Sequence, residues 1–262
     1  MQIRKILSSI NLTGFIGMIV VNALANALPI NGKTTGEISS QFPNLLVPAG
    51  FTFSVWGVIY LLLFIYIIFQ LVVGFKGSRS PAIFINHIGI LFFISCLANL
   101  SWILAWHYGM VMVSLLIIII LFGSLLAIYI RLKIGISDTT PGIRYMVHLP
   151  FSIYLGWITI AMMVNFAVVL VNNGWNRFGL SELFWALALL VAGTVVTLLI
   201  ILRRKDIFYG LVVAWAFFGI WACHSFHGVS SVPEAIIGTV VLLLLSLILV
   251  TIVIQIIRKK VY

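Results

Sequence analysis

The chain is a succession of long apolar stretches of about twenty residues, separated by short polar connections. About twenty apolar residues is the length that carries an α-helix across the hydrocarbon core of a bilayer. Eight such spans can be drawn, over about residues 6–28, 48–74, 82–106, 109–132, 145–171, 181–202, 207–224 and 234–257. The runs do not alternate apolar and polar positions, which excludes a transmembrane β-barrel. The pattern predicts an all-α fold, a polytopic transmembrane helical bundle of about eight spans. The longest connection, Pro29 to Val47, contains Asn31-Gly32-Lys33-Thr34-Thr35-Gly36 and Phe42-Pro43, a density of Gly, Pro, Asn and Thr that marks an irregular loop. None of the connections could hold a soluble domain.

Composition sharpens this picture. Of the 262 residues, 63% are apolar and 8% charged, where an ordinary soluble domain is about a quarter charged; mean hydropathy is +1.25. The net charge of +10 would suit nucleic acid, but its distribution points elsewhere. With the N-terminus inside, Arg4, Lys5, Lys76, Arg79, Arg131, Lys133, Arg144, Arg203, Arg204, Lys205, Arg258, Lys259 and Lys260 all face the cytoplasm, leaving only Lys33 and Arg177 outside. That asymmetry is the positive-inside signature and predicts cytoplasmic N- and C-termini in a bacterial inner membrane. The basic balance therefore records topology and attraction to anionic lipid, and no nucleic-acid partner is expected.

The first span also has the outline of a signal peptide: Arg4-Lys5, an apolar run, then Ala23-Leu24-Ala25-Asn26-Ala27. Its Ser8, Ser9, Asn11 and Thr13 suit a packed helix better than a signal core, and it is taken as a span. A seven-span retinal protein is ruled out because no lysine lies within a span to form the Schiff base. The two cysteines, Cys96 in mid-span and Cys223 near the end of the seventh, make no disulfide framework.

The missing charges exclude whole classes of function. Glu37, Asp138, Glu182, Asp206 and Glu234 are all in loops or at helix ends, and no Lys or Arg is mid-span. Proton relays, ion coupling and voltage sensing require ionisable groups inside the membrane. Phosphate-cradling loops, zincin helices and carboxylate pairs at catalytic spacing are absent too. The chain is expected not to be an enzyme.

What remains is aromatic. Pro48-Ala-Gly-Phe-Thr-Phe-Ser-Val-Trp-Gly-Val-Ile-Tyr60 opens the second span with Phe53, Trp56 and Tyr60 at i, i+3 and i+7, on one helical face. The third span sets Asn99, Trp102 and Trp106 at the same spacing, and the fifth places Trp157, Ala161 and Asn165 at i, i+4 and i+8. A buried Asn in a bilayer must find hydrogen-bond partners, in a neighbouring helix or in a ligand. Such stripes could enclose a cavity that stacks on a planar ring and bonds its polar rim. The alternative is interhelical packing and interfacial belt aromatics.

These residues resemble the TspO/MBR family, the tryptophan-rich sensory proteins that include the translocator protein (peripheral benzodiazepine receptor). The family's second-helix Trp-Gly-x-Leu-Tyr is matched by Trp56-Gly-Val-Ile-Tyr60, its Leu-Asn-x-x-Trp by Ala98-Asn99-Leu-Ser-Trp102, and its fifth-helix pattern by Tyr154-Leu-Gly-Trp157-Ile-Thr-Ile-Ala161-Met-Met-Val-Asn165. The departures are Ile153 where the family has proline (Pro150 comes a turn earlier), Leu100 where a second tryptophan often stands, and the lack of a cholesterol-type motif after the fifth helix. The motifs cover roughly residues 6 to 172. The resemblance implies a TspO-like five-helix bundle over 1–175, often dimeric, followed by three additional transmembrane helices over 176–262. It also implies a pocket between helices for porphyrins, haem or similar planar hydrophobic ligands, covered by the long first loop. Phe53, Trp56, Tyr60, Asn99, Trp102, Trp157, Ala161 and Asn165 are the expected ligand-binding residues.

The expected function is therefore a receptor or sensor that binds a tetrapyrrole in the bilayer and requires no cofactor. The runner-up is a facilitative transporter of an uncharged hydrophobic solute, and a weaker third option is light- or oxidation-dependent tetrapyrrole degradation. Cys223-His224-Ser-Phe-His227 places His224 and His227 at i and i+3 beside a thiol, with His107 on the same side. These are metal-ligand types in an incomplete set, which Glu37 or Glu234 could complete, and no metal is assigned. His87 and His148 are read as structural.

Overall fold

Within a bilayer the backbone of an apolar run has no water to bond, so each run must close its own hydrogen bonds as helix. The fold, a computed structural model, describes residues 2–28, 30–42, 44–76, 83–172, 174, 176–226 and 231–258; Pro29, Pro43, Arg79, His227, Lys259 and Lys260 lie outside these residues, and the side chain of Arg177 is likewise not described. The helices are α1 (Gln2–Ala27), α2 (Thr35–Ser40), α3 (Val55–Lys76), α4 (Ile83–Ile88), α5 (Leu91–His107), α6 (Val111–Arg131), a single turn α7 (Pro141–Ile143), α8 (Leu149–Asn172), α9 (Glu182–Arg204), α10 (Ile207–Phe226) and α11 (Val232–Ile257). Among the described residues there is no strand, and seven helices are long and apolar enough to cross a membrane. The third expected span is the exception, because α4 and α5 share it. Gly89, at φ +53°, breaks the helix there in a conformation that a side chain would strain. The Asn11 amide reaches across from α1 and donates to the Gly89 carbonyl at 3.3 Å.

The packing separates into a ring and a trio. Helices α1, α3, α8, α6 and α5 pack in that order and close on themselves, since α5 also packs on α1. Helices α9, α10 and α11 pack on one another, and α10 joins them to the ring through α8. That junction is close. A Cβ at Gly156 of α8 would stand 3.0 Å from the Tyr209 carbonyl oxygen and strike Val212, both of α10, so only glycine permits the approach.

Polar side chains tie the helices where lipid offers no partner. Asn22 Nδ2 of α1 donates to Asn99 Oδ1 of α5 at 2.7 Å, and Asn99 Nδ2 donates to the Tyr154 hydroxyl of α8 at 2.9 Å. On α8, Asn165 Nδ2 donates to Ser114 Oγ of α6 at 3.1 Å. A further tie, with four donors on one side chain, is at the opposite, basic end. Asp206, between α9 and α10, is fully buried. Its Oδ2 accepts from the Ser152 hydroxyl (2.6 Å) and the Tyr129 hydroxyl (2.8 Å), and its Oδ1 from the backbone N–H groups of Phe208 and Tyr209 (3.2 Å each). Burial pushes its pKa above the usual carboxylate value, against the four donors that pull it down. One carboxylate thus caps α10 and fastens it to α6 and α8.

Candidate functional site: a tryptophan-lined cavity

At the end of the bundle away from most of the basic residues, the long first loop folds over the ring. Helix α2 starts with a capping box in which the Thr34 backbone N–H and hydroxyl donate to Glu37 Oε2 at 2.7 and 2.9 Å. Those two bonds hold the Glu37 carboxyl below the usual range. The loop is fixed to α5 through Asn31 Nδ2, which donates to the His107 carbonyl at 3.1 Å, and through Thr35 Oγ1, 3.3 Å from His107 Nε2. Phe42 packs against Trp106 at 5.6 Å.

Beneath this cover lies a cavity with about 40 Å³ of free space, room for roughly three water centres at about 10–15 Å³ each. Its walls are Trp56 of α3, Trp102 and Trp106 of α5, and Trp157, Ile160, Ala161, Val164 and Asn165 of α8. Ser39, Pro48 and Phe53 close the top, and Ala216 and Ile220 come from α10. The rings interlock: Trp102 stacks on Trp106 (5.6 Å, 16°), and Trp56 and Phe53 each meet Trp157 edge-on (6.1 Å, 81°). All four indoles are buried, and among the described residues none of their four N–H groups finds a hydrogen-bond partner. A buried donor left unmade costs about 1–3 kcal/mol, and four such donors belong to residues that line this one cavity. No lining side chain is titratable.

Of the eight expected ligand-binding residues, Phe53, Trp56, Trp102, Trp157, Ala161 and Asn165 therefore line one cavity. Phe53 does so from a 3₁₀ turn over Gly50–Ser54 that precedes α3. Tyr60 and Asn99 do not line it. Tyr60 stacks behind Trp56 (5.3 Å, 20°), and the Asn99 amide is taken up by Asn22 and Tyr154. The Asn165 amide is likewise committed to Ser114, so both asparagines act first as interhelical ties. Trp106, one turn beyond Trp102, belongs with the site. Ala216 and Ile220 of α10 carried no sequence signal at all, because α10 is apolar around its whole circumference.

Outside the cavity an open vestibule of about 1270 Å³ lies between the loop and the ends of α9, α10 and α11. Glu37, Glu182, His224 and Glu234 line it, and Pro48 and Phe53 line both spaces, forming the partition between them. His224 Nε2 lies 3.0 Å from the Leu45 carbonyl oxygen. Among the described residues, no three His, Cys, Asp or Glu side chains are grouped so as to hold a metal ion.

A family model described as TSPO-like protein matches residues 8–254. The chain belongs to the TSPO-like protein family. The match runs past the motifs of the first five spans and through α9 and α10 into α11, so these helices lie within the TSPO-like region. Neither the comparison with curated proteins nor that with solved structures returns a match. Family membership and the seven apolar helices make this an integral membrane protein of TSPO-like type.

Proposed function

We propose that this TSPO-like protein binds a flat, hydrophobic tetrapyrrole such as porphyrin or haem in the tryptophan cavity, and acts by binding rather than by catalysis. One observation carries the reading: four tryptophans whose buried indole N–H groups have no partner among the described residues line a single cavity, and that lining has no titratable side chain. Indoles offer π faces to a planar ring and donors to its acceptor atoms, so the polar edge of the ligand must accept hydrogen bonds. The vestibule supplies the route in. Since the basic ends of the helices belong in the cytoplasm by the positive-inside rule, we place the vestibule outside. A membrane-impermeant maleimide should then label a Glu37→Cys variant in intact cells; labelling only after lysis would reverse the orientation.

The binding test is quenching of tryptophan fluorescence by protoporphyrin IX in nanodiscs. Quenching should saturate at one site and weaken at least tenfold in Trp56→Ala. Asn99→Ala should keep the affinity and instead lower the thermal midpoint, since it removes two interhelical bonds at about 0.6–2 kcal/mol each. Non-saturating quenching that is the same in wild type and Trp56→Ala would remove the cavity as the site.

A further inference from the structure

Helix α10 lines the cavity through Ala216 and Ile220, and it also holds the cavity's mouth. The Ala49 backbone N–H donates to the Gly219 carbonyl at 2.9 Å, and the Trp215 indole N–H donates to the Thr52 carbonyl at 2.9 Å. Between these two bonds the Thr52 side chain, fully buried, rests directly on Gly219. A Cβ at Gly219 would overlap Thr52 Oγ1 and stand 2.6 Å from its Cγ2 and 2.8 Å from its Cβ, so the seat exists only because residue 219 is glycine. Phe51 adds ring contacts to Trp215 (5.6 Å) and Phe218 (5.8 Å). The segment so fastened is the 3₁₀ turn that carries Phe53, the ring that partitions the vestibule from the cavity.

The sizes of the two spaces give this seat its meaning. A pocket for a small organic ligand measures about 300–1,000 Å³, while the tryptophan cavity has about 40 Å³ of free space and the vestibule about 1270 Å³. A ligand arriving through the vestibule meets Phe53, whose backbone cannot shift while Ala49 and Thr52 stay on α10. We propose that α10 is the latch of the cavity: the Ala49–Ser54 segment lifts off Gly219 and Trp215 to admit a ligand, and Gly219 positions that segment in the closed state. The proposal rests on the reading of the cavity as the binding site and assigns α10 a role in access to it.

The test needs no natural ligand. In a cysteine-free background (Cys96→Ala, Cys223→Ala), Ala216→Cys places a thiol on the buried cavity wall, and the rate of N-ethylmaleimide labelling reports how often the mouth opens. Adding Gly219→Ala should speed labelling at least tenfold, because the methyl group displaces Thr52. Trp215→Phe, which removes one latch bond without inserting an atom, should speed it several-fold and decides the matter if Gly219→Ala fails to fold. Thr52→Gly should restore slow labelling in the Gly219→Ala protein by clearing the atoms the methyl strikes. Unchanged rates in folded Gly219→Ala and Trp215→Phe, with helical circular dichroism intact, would overturn the latch. Faster labelling with no change in the protoporphyrin IX association rate would leave the latch standing and count against the tetrapyrrole reading instead.

Discussion

Trp157→Ala is expected to weaken protoporphyrin IX binding roughly thirty- to a hundredfold. Trp157 is the centre of the aromatic lining: Trp56 and Phe53 both meet it edge-on at 6.1 Å, and it is 4% exposed. Removing it takes away a large π face and one of the four unpartnered donors. It also leaves its two aromatic neighbours free to collapse into the space. Lost stacking and buried area together amount to about 2–3 kcal/mol, and each 1.4 kcal/mol is about tenfold in affinity. Trp157→Phe keeps the ring body but loses the N–H, so it should cost about tenfold. Titration by tryptophan quenching measures both, and equal affinities for Trp157→Ala and wild type would remove Trp157 from the site.

Asp206→Ala should cost about 3–5 kcal/mol of stability without touching the ligand. The substitution orphans the buried hydroxyls of Ser152 and Tyr129 and uncaps α10 at Phe208 and Tyr209, four donors at one point. Each buried group left without a partner costs about 1–3 kcal/mol, and loss of a helix cap adds about 1. Asp206→Asn keeps an oxygen for the cap but sets an NH₂ group against two hydroxyls, and should fall between. Because Asp206 sits at the end of the bundle opposite the tryptophans, protoporphyrin IX affinity measured well below the melting temperature should hold. Thermal unfolding in detergent gives the stability, and a midpoint unchanged from wild type would show the carboxylate to be dispensable.

The spans were legible in the sequence because the bilayer leaves an apolar run little choice but helix. The Gly89 break was not, since a single glycine in a span is usually tolerated, and only its φ shows that this one turns the chain. The aromatic stripe was legible from helical spacing on α3, α5 and α8, which brought Trp56, Trp102 and Trp157 to one cavity. The asparagines illustrate what spacing leaves open. A buried Asn must be bonded, but only the fold reveals that Asn99 is met by Asn22, 77 residues away, and Asn165 by Ser114. The contribution of α10 was hidden for a related reason. Its apolar surface gives no face to read, and Gly219 acquires its role from contact with a turn more than 160 residues earlier. Asp206 was correctly placed at a helix end, but its complete burial depends on α6 and α8 folding over it.

The account rests on the tryptophan cavity being a ligand site, and native mass spectrometry of the protein purified from its own membrane tests this most directly. The wild-type protein should carry a small-molecule adduct with the mass and visible absorption of a tetrapyrrole, released on unfolding and missing from the Trp56→Ala/Trp157→Ala double variant. An adduct retained unchanged by that variant would contradict the account.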